Sequence, residues 1–498
     1  MEPSCDCDTF EESRALFDQV CSFMDGTEAA GLTHGELEAR LAIDARELMR
    51  QLFQDHLDLR AIREERLDEI TNATGITYRS VEAGHLRRLQ TIFGEVCVTR
   101  LAYRHRGEDN LYLSDATLNL PTEAHSHGLR EISAIESARG SFEEARQAIS
   151  RTTGANLGKR QVEDLAARSA VDFDAFYEGM SRGDADCHDL LVLSADGKGI
   201  VMRPDALRPA TAKAAGDATA KLKTRLSRGE KRNRKRMAEV GAVYDVTPVV
   251  RTPADIICAG GNAEATPAPK ATGKWLTASV VDSAAVVISA IFDEAQRRDP
   301  KRKRTWVALV DGAPHQIDCI EAEASARQVD VNIICDFIHV LEYLWKAAWS
   351  FFPEGNHLAE TWVADKAFAV LQGKSSTVAA SITRKATCLG LAAAKRENAD
   401  KCANYLLSKR DYLDYPTALR EGWPIATGVI EGACRHIVKD RLDITGARWG
   451  LKGAEAVLKL RALRSNGDFD EYWKFHLDRE RHRVHDVRYA DWTIPMAA

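Results

Sequence analysis

Along this chain the apolar positions change period several times, and each change predicts a different element. Between residues of about 10 and 70 they recur at helical spacing. Within "LTHGELEARL", Thr33 stands three residues before Glu36, the pattern of a capping box at a helix start. From about 88 to 105, "RLQTIFGEVCVTRLAYR" alternates apolar with polar around a glycine and reads as a β-hairpin. In "GSFEEARQAISRTTGANLGKRQVEDLAARSA" the capping pattern returns with Ser141 and Glu144. A short helix should follow, then a turn through Thr153, Gly154 and Asn156, then a second helix opening on Lys159, Arg160 and Gln161. Two short helices with basic or amide side chains at the start of the second suit a helix-turn-helix that binds DNA, and suit an ordinary αα-hairpin too.

From Leu190 the apolar residues gather into short unbroken runs, the mark of buried strands. "LLVLSADGKGIVM" and "WVALVDGAPH" each run into Asp-Gly, at Asp196 and Asp311, and "VDVNIICDFIH" ends at Asp336. "AEVGAVYDVTPVV" reads as a further strand, and a helical pattern spans Ala278 to Arg298. A mixed α/β sheet is expected. Residues from about 340 to 421 carry no strand signal and read as an all-α insertion.

At 498 residues the chain exceeds one ordinary domain, and its 45% hydrophobic, 29% charged composition is that of folded protein. No apolar run is long enough to span a membrane, and the eleven cysteines form no CxxC pair, so a reduced, cytoplasmic setting is expected. The net charge of −6 is uneven: residues 1–80 hold 18 Asp/Glu against 8 Arg and no Lys, a net of −10, which leaves −6 − (−10) = +4 for the remainder. The segment "KLKTRLSRGEKRNRKR" packs nine Lys/Arg into sixteen residues, among them Lys231, Arg232, Arg234, Lys235 and Arg236. Such a run is either a solvated loop or a track along a polyanion.

An Asp at the carboxyl end of a buried strand is well placed for a site. Asp196 and Asp311 are expected there. Glu431 is expected in the first turn of a helix whose Gly432, Ala433 and Cys434 are small enough to lie close against a sheet. Converging carboxylates suit hard divalent cations such as Mg²⁺. Each acid also has a plainer reading: Asp-Gly as a turn, and Glu431 with Arg435 as an i,i+4 helix pair. Asp336 and His339, three apart where a strand passes into a helix, read as support for the site or as a cap and a core histidine. Arg435 and His436 are candidate phosphate contacts.

The chain resembles the DDE transposases of bacterial insertion sequences, most of all the ISKra-type group. The resemblance runs from about 85 to 480 through "GEVCVTRLAYR", "LNLP", "ARGSFEEA", "KRQVEDLA", "SADGKGIVM", "LVDGAPHQ", "CDFIHVLEYLWKAA" and "ATGVIEGACRHIVKDRLDITGARWGLKGAEAVLKLRALRSNGDFDEYW". It implies a ribonuclease-H-like core with an α-helical insertion ahead of the final Glu, and a triad of Asp196, Asp311 and Glu431 holding two Mg²⁺, with Mn²⁺ as a substitute. It further implies DNA partners (element terminal repeats and target DNA), a homo-oligomer on paired ends, and a nucleoid-associated bacterial protein. Mutator-like relatives carry a Cys-or-Asp, x, x, His motif near the triad, similar to Asp336 and His339. A nuclease without strand transfer and an inactive DNA-binding regulator remain the alternatives. The expected layout is an acidic helical region over 1–80, a β-hairpin region over 81–120 and a helix-turn-helix-like region over 121–182. The core would occupy 186–345 with the basic insertion at 205–238, the all-α insertion 346–421, the returning Glu431 helix 422–480 and a tail 481–498.

Overall fold

The computed structural model describes residues 9–182, 188–217, 234–257, 266–444 and 446–496. Lys231 and Arg232 lie outside the described residues, as does most of the basic run. The chain divides into two compact units, one of Met1–Glu178 with Asp468–Ala498, the other of Gly179–Gly467. Among the described residues no helix is long and apolar enough to cross a membrane.

The first unit opens with helices α1 (Glu11–Asp25), α2 (Thr27–Ala30) and α3 (His34–Ile62). Glu36 accepts from both the N–H and the hydroxyl of Thr33, at 2.8 and 2.7 Å, which closes the start of α3. After a two-residue ladder, β1 (Ile70–Thr71) with β2 (Thr77–Tyr78), comes the expected hairpin, β3 (Ser80–Gln90) with β4 (Glu95–Arg104). Then follow α4 (Leu113–Thr117), α5 (His127–Arg139), α6 (Phe142–Thr153), α7 (Lys159–Arg168) and α8 (Phe173–Glu178). Ser141 and Glu144 form the capping box of α6, which ends at Gly154 with φ of +72°, a left-handed conformation that glycine adopts freely. The apolar faces of α6 and α7 meet through buried Ile149, Val162 and Leu165.

Polar packing in this unit is ionic. Arg130, with no exposed surface, donates to Glu123 at 2.8 Å and to Glu480 at 2.5 Å. Asp172 accepts from His476 at 2.7 Å and from Arg483 at 3.0 Å. Both clusters fasten the C-terminal helix Phe469–Val484 to the rest of the unit.

The second unit is built on a five-stranded mixed sheet of β5 (Leu190–Val201), β6 (Lys235–Val246), β7 (Ala271–Ser279), β8 (Trp306–Val310) and β9 (Val331–Cys335), in the order β7-β6-β5-β8-β9. On one side of β5 the pairing is antiparallel through β6 and β7; on the other it is parallel through β8 and β9. Every residue of β8 is buried, as its unbroken apolar run requires. The helix Ala284–Arg298 lies so near β6 that a Cβ on Gly241 would come 2.7 Å from Ile291. Residues expected as an all-α insertion are helical: His357–Leu371, Ser375–Cys388, Ala393–Ser408 and Tyr415–Arg420 follow Phe337–Ala348. The helical pattern expected from Ala278 starts later, at Ala284, because Ala271–Ser279 is strand β7. As the outermost strand it shows solvent its Lys274 and Gly273, so its sequence lacks the unbroken apolar run of its neighbours.

Candidate active site

Asp196 differs from its expected place in one respect. β5 continues past it to Val201, so it lies within the strand rather than at the strand's end. What ends near it is the parallel partner. Leu193 pairs with Ala308 as the last parallel contact, and three residues further along each strand stand Asp196 and Asp311. Beyond that point β6 is the strand that pairs with β5, and at its end the Trp449 N–H donates to the Val201 carbonyl at 3.1 Å. The Asp-Gly pairs therefore have different causes. Gly312 sits at φ +91°, where an added Cβ would meet the Tyr405 hydroxyl at 2.9 Å. Gly197 is extended, and a Cβ there would meet Met237 Cε at 2.8 Å and Glu239 Oε2 at 3.1 Å.

Each Asp is oriented by the chain next to it. Asp196 Oδ1 accepts from the Gly197 N–H at 2.6 Å, and Asp311 Oδ1 from the Ala313 N–H at 2.8 Å. Tyr405, from the all-α segment, donates its hydroxyl to the Asp311 carbonyl at 3.1 Å.

Glu431 lies in the short helix Gly428–Ala433, which packs on β5 and β6, and its side chain is exposed. The sheet contact is made by Ala433 and Cys434, both buried. Gly432 has no role in it: an added Cβ there would touch nothing within 4 Å. Cys434 donates its thiol to Asp196 Oδ2 at 3.3 Å, tying the Glu431 segment to the first Asp. Burial and the adjacent Asp196 charge push that thiol's pKa far up, so it stays protonated and donating.

Past Ala433 the helix widens into a π-helical turn, Cys434–Lys439. The Arg461 guanidinium donates to the His436 carbonyl at 3.0 Å and to that of Ile437 at 2.9 Å, occupying acceptors in the turn. Such turns often mark functional sites. Arg435 and His436 project from it, 72% and 70% exposed, and both face Asp440, at 3.9 and 3.2 Å. The i,i+4 reading of Glu431 with Arg435 fails, since Arg435's ion-pair partner is Asp440.

Asp336 is fully buried and caps Phe337–Ala348 by accepting from the Ile338 N–H at 2.8 Å. His339, half-buried, lies 3.9 Å from Glu342. Glu239, opposite Gly197 on β6, adds an acid that sequence reasoning missed. Burial pushes its pKa up; Asp196 adds to the rise, while Arg208 and His315 oppose it. The signal was present, an acid set in the apolar stretch "AEVGAV".

Among the described residues Asp196, Asp311, Glu431 and Glu239 enter no ion pair. Nor do any three His, Cys, Asp or Glu side chains among them form a ready metal-holding group.

Of the expected DNA contacts, Lys159 and Arg160 are exposed at the start of α7, while Gln161 turns back to accept from the Gly158 N–H at 2.7 Å and so caps its own helix. Lys235 is exposed on β6 and Arg234 half-buried before it. The Arg236 guanidinium is engaged by protein carbonyls, Val280 at 2.7 Å with Ala206 and Val281 at 3.3 Å. No protein-family model matches the chain, and a search of curated proteins finds no match.

Proposed function

We propose that this chain is a DDE-type DNA transposase whose second unit is a ribonuclease-H-like catalytic core. It would cut at the ends of a mobile element and join the freed 3′-hydroxyl to target DNA. The observation that carries this reading is the sheet. β5 is central, antiparallel to β6 and parallel to β8; Asp196 lies in β5 three residues past its last pairing with β8, Asp311 directly follows β8, and the Glu431 helix lies against β5 and β6.

The three acids are not gathered into a metal-holding group among the described residues, but their donor chemistry suits divalent cations. Asp196, Asp311 and Glu431 offer carboxylate oxygens, the ligands that Mg²⁺ and Mn²⁺ prefer, and none of the three enters an ion pair among the described residues. Bound there, two such ions would stabilise the attacking and leaving oxygens of an in-line phosphoryl displacement. The chain's own residues do the positioning. Gly197 and Ala313 fix one oxygen of each Asp through their N–H groups, and Cys434 fixes the other oxygen of Asp196. Arg435 and His436 are exposed enough to meet phosphate, Lys235 would supply a sequence-independent contact to the backbone, and Lys159 and Arg160 open the helix that would read the element ends. Pairing two element ends calls for more than one copy of the chain.

The test is a strand-transfer assay with Mg²⁺ and labelled element ends. Wild type should cleave and join. Asp196→Ala, Asp311→Ala and Glu431→Gln should each fall to background while end-binding stays within about twofold, because affinity comes mainly from phosphate contacts elsewhere. Near wild-type joining by any one variant would remove that residue from the catalytic set.

A further inference from the structure

Asp336 joins the two halves of the site. It follows β9, and its N–H donates to the carbonyl of Val310, the residue before Asp311, at 2.7 Å. Its Oδ2 accepts from the Thr427 hydroxyl. Thr427, also buried, opens the Gly428–Ala433 helix, and its carbonyl accepts from the Glu431 N–H at 3.0 Å. One buried residue thus stands a single link from the backbone of Asp311 and a single link from that of Glu431. Phe337 adds a parallel tie, its N–H donating to the Ile425 carbonyl at 2.8 Å.

We propose that Asp336 and Thr427 form a positioning clasp that fixes the Glu431 helix against the end of β8. The proposal rests on reading Asp196, Asp311 and Glu431 as the catalytic acids. Asp336 touches no substrate, for none of its surface is exposed. Nor is capping a sufficient reason for it. Serine or asparagine caps a helix as well, whereas a buried carboxylate is costly unless its oxygens are satisfied. Here both are, one by the cap and one by Thr427.

The experiment compares Thr427→Val, which keeps the volume and removes the hydroxyl, with Thr427→Ser, which keeps the hydroxyl. Asp336→Ala is a third variant, and the threonine pair decides the matter even if that one does not fold. Amide exchange over Gly428–Ala433 and cleavage of labelled element ends with Mg²⁺ are read side by side. A hydrogen bond to a charged group is worth roughly a factor of ten or more. Thr427→Val should therefore speed exchange in that helix about tenfold and slow cleavage about tenfold. Its affinity for ends and its exchange elsewhere in the second unit should stay unchanged, and Thr427→Ser should restore both losses. The clasp is overturned if Thr427→Val exchanges and cleaves like wild type, or if Thr427→Ser is equally impaired. If wild type itself does not cleave, the transposase reading fails, and the exchange comparison still decides the clasp.

Discussion

In the N-terminal unit, Glu123, Asp172 and Glu480 each face an arginine at hydrogen-bonding distance, and Arg130 and His476 sit with no exposed surface among them. In the second unit, Asp196, Asp311, Glu239 and Glu431 face one another's strands and helices with no cation in an ion pair among the described residues. The pKa directions follow. Arg130 holds Glu123 and Glu480 below the usual carboxylate range against the opposing effect of burial, and the His476 and Arg483 hydrogen bonds hold Asp172 at about 2. Burial without such partners pushes Glu239 up. The first set of acids is tied to arginines; the second enters no ion pair among the described residues.

The sharpest break of this contrast is to remove one partner on each side. Arg130→Met should cost the N-terminal unit about 3–5 kcal/mol, because it removes the fully buried cation shared by Glu123 and Glu480 and leaves each with one more exposed arginine, Arg168 or Arg483. Asp196→Asn should change stability by less than about 0.5 kcal/mol, since it breaks no ion pair. Denaturant unfolding, followed by amide exchange in each unit, separates the two. Equal losses would mean that the site acids are structural.

A smaller effect comes from acid. A carboxylate whose pKa is depressed in the folded state stabilises it above the unfolded value, and that stability is lost as pH falls. For Asp172 the window runs from about 4 down to about 2. A carboxylate whose pKa is raised acts in reverse, adding stability as pH falls through its raised value toward the ordinary one. Glu455, buried and accepting from the Val280 N–H at 2.8 Å, is of this kind, as is Glu239. Exchange measured between pH 6 and pH 3 should show the β5–β6 amides around Glu239 tightening slightly before the ties of Asp172, and those of the second unit's own depressed acids Asp255 and Asp299, loosen. The same slope around Glu239 and around Asp172 would contradict the contrast.

Much of this could be read from the sequence, for physical reasons. Unbroken apolar runs disclosed β5, β8 and β9, and each delivered an Asp at the run's end, Asp196, Asp311 and Asp336. Ser141 with Glu144 disclosed the start of α6. Strand β7 was not legible, because an outer strand keeps polar and glycine positions that break the pattern. Nor was the continuation of β5 past Asp196, which depends on pairing with β6 rather than on β5's own residues. The ties that hold Glu431 in place were least legible of all. Thr427 meets Asp336 across 91 residues of chain and Cys434 meets Asp196 across 238, and no local pattern records either contact.

The central claim is that the acids of the second unit await a divalent cation. It is met most directly by thermal unfolding with and without Mg²⁺, for wild type and for a variant carrying Asp196→Asn, Asp311→Asn and Glu431→Gln. A ligand that binds only the folded state raises its stability by RT ln(1 + [L]/Kd), so wild type should gain transition temperature steadily with Mg²⁺ concentration. The triple variant should show no such gain and, without metal, should melt close to wild type, having lost no ion pair among the described residues. A Mg²⁺ shift that survives in the variant, or none in wild type, would contradict the claim.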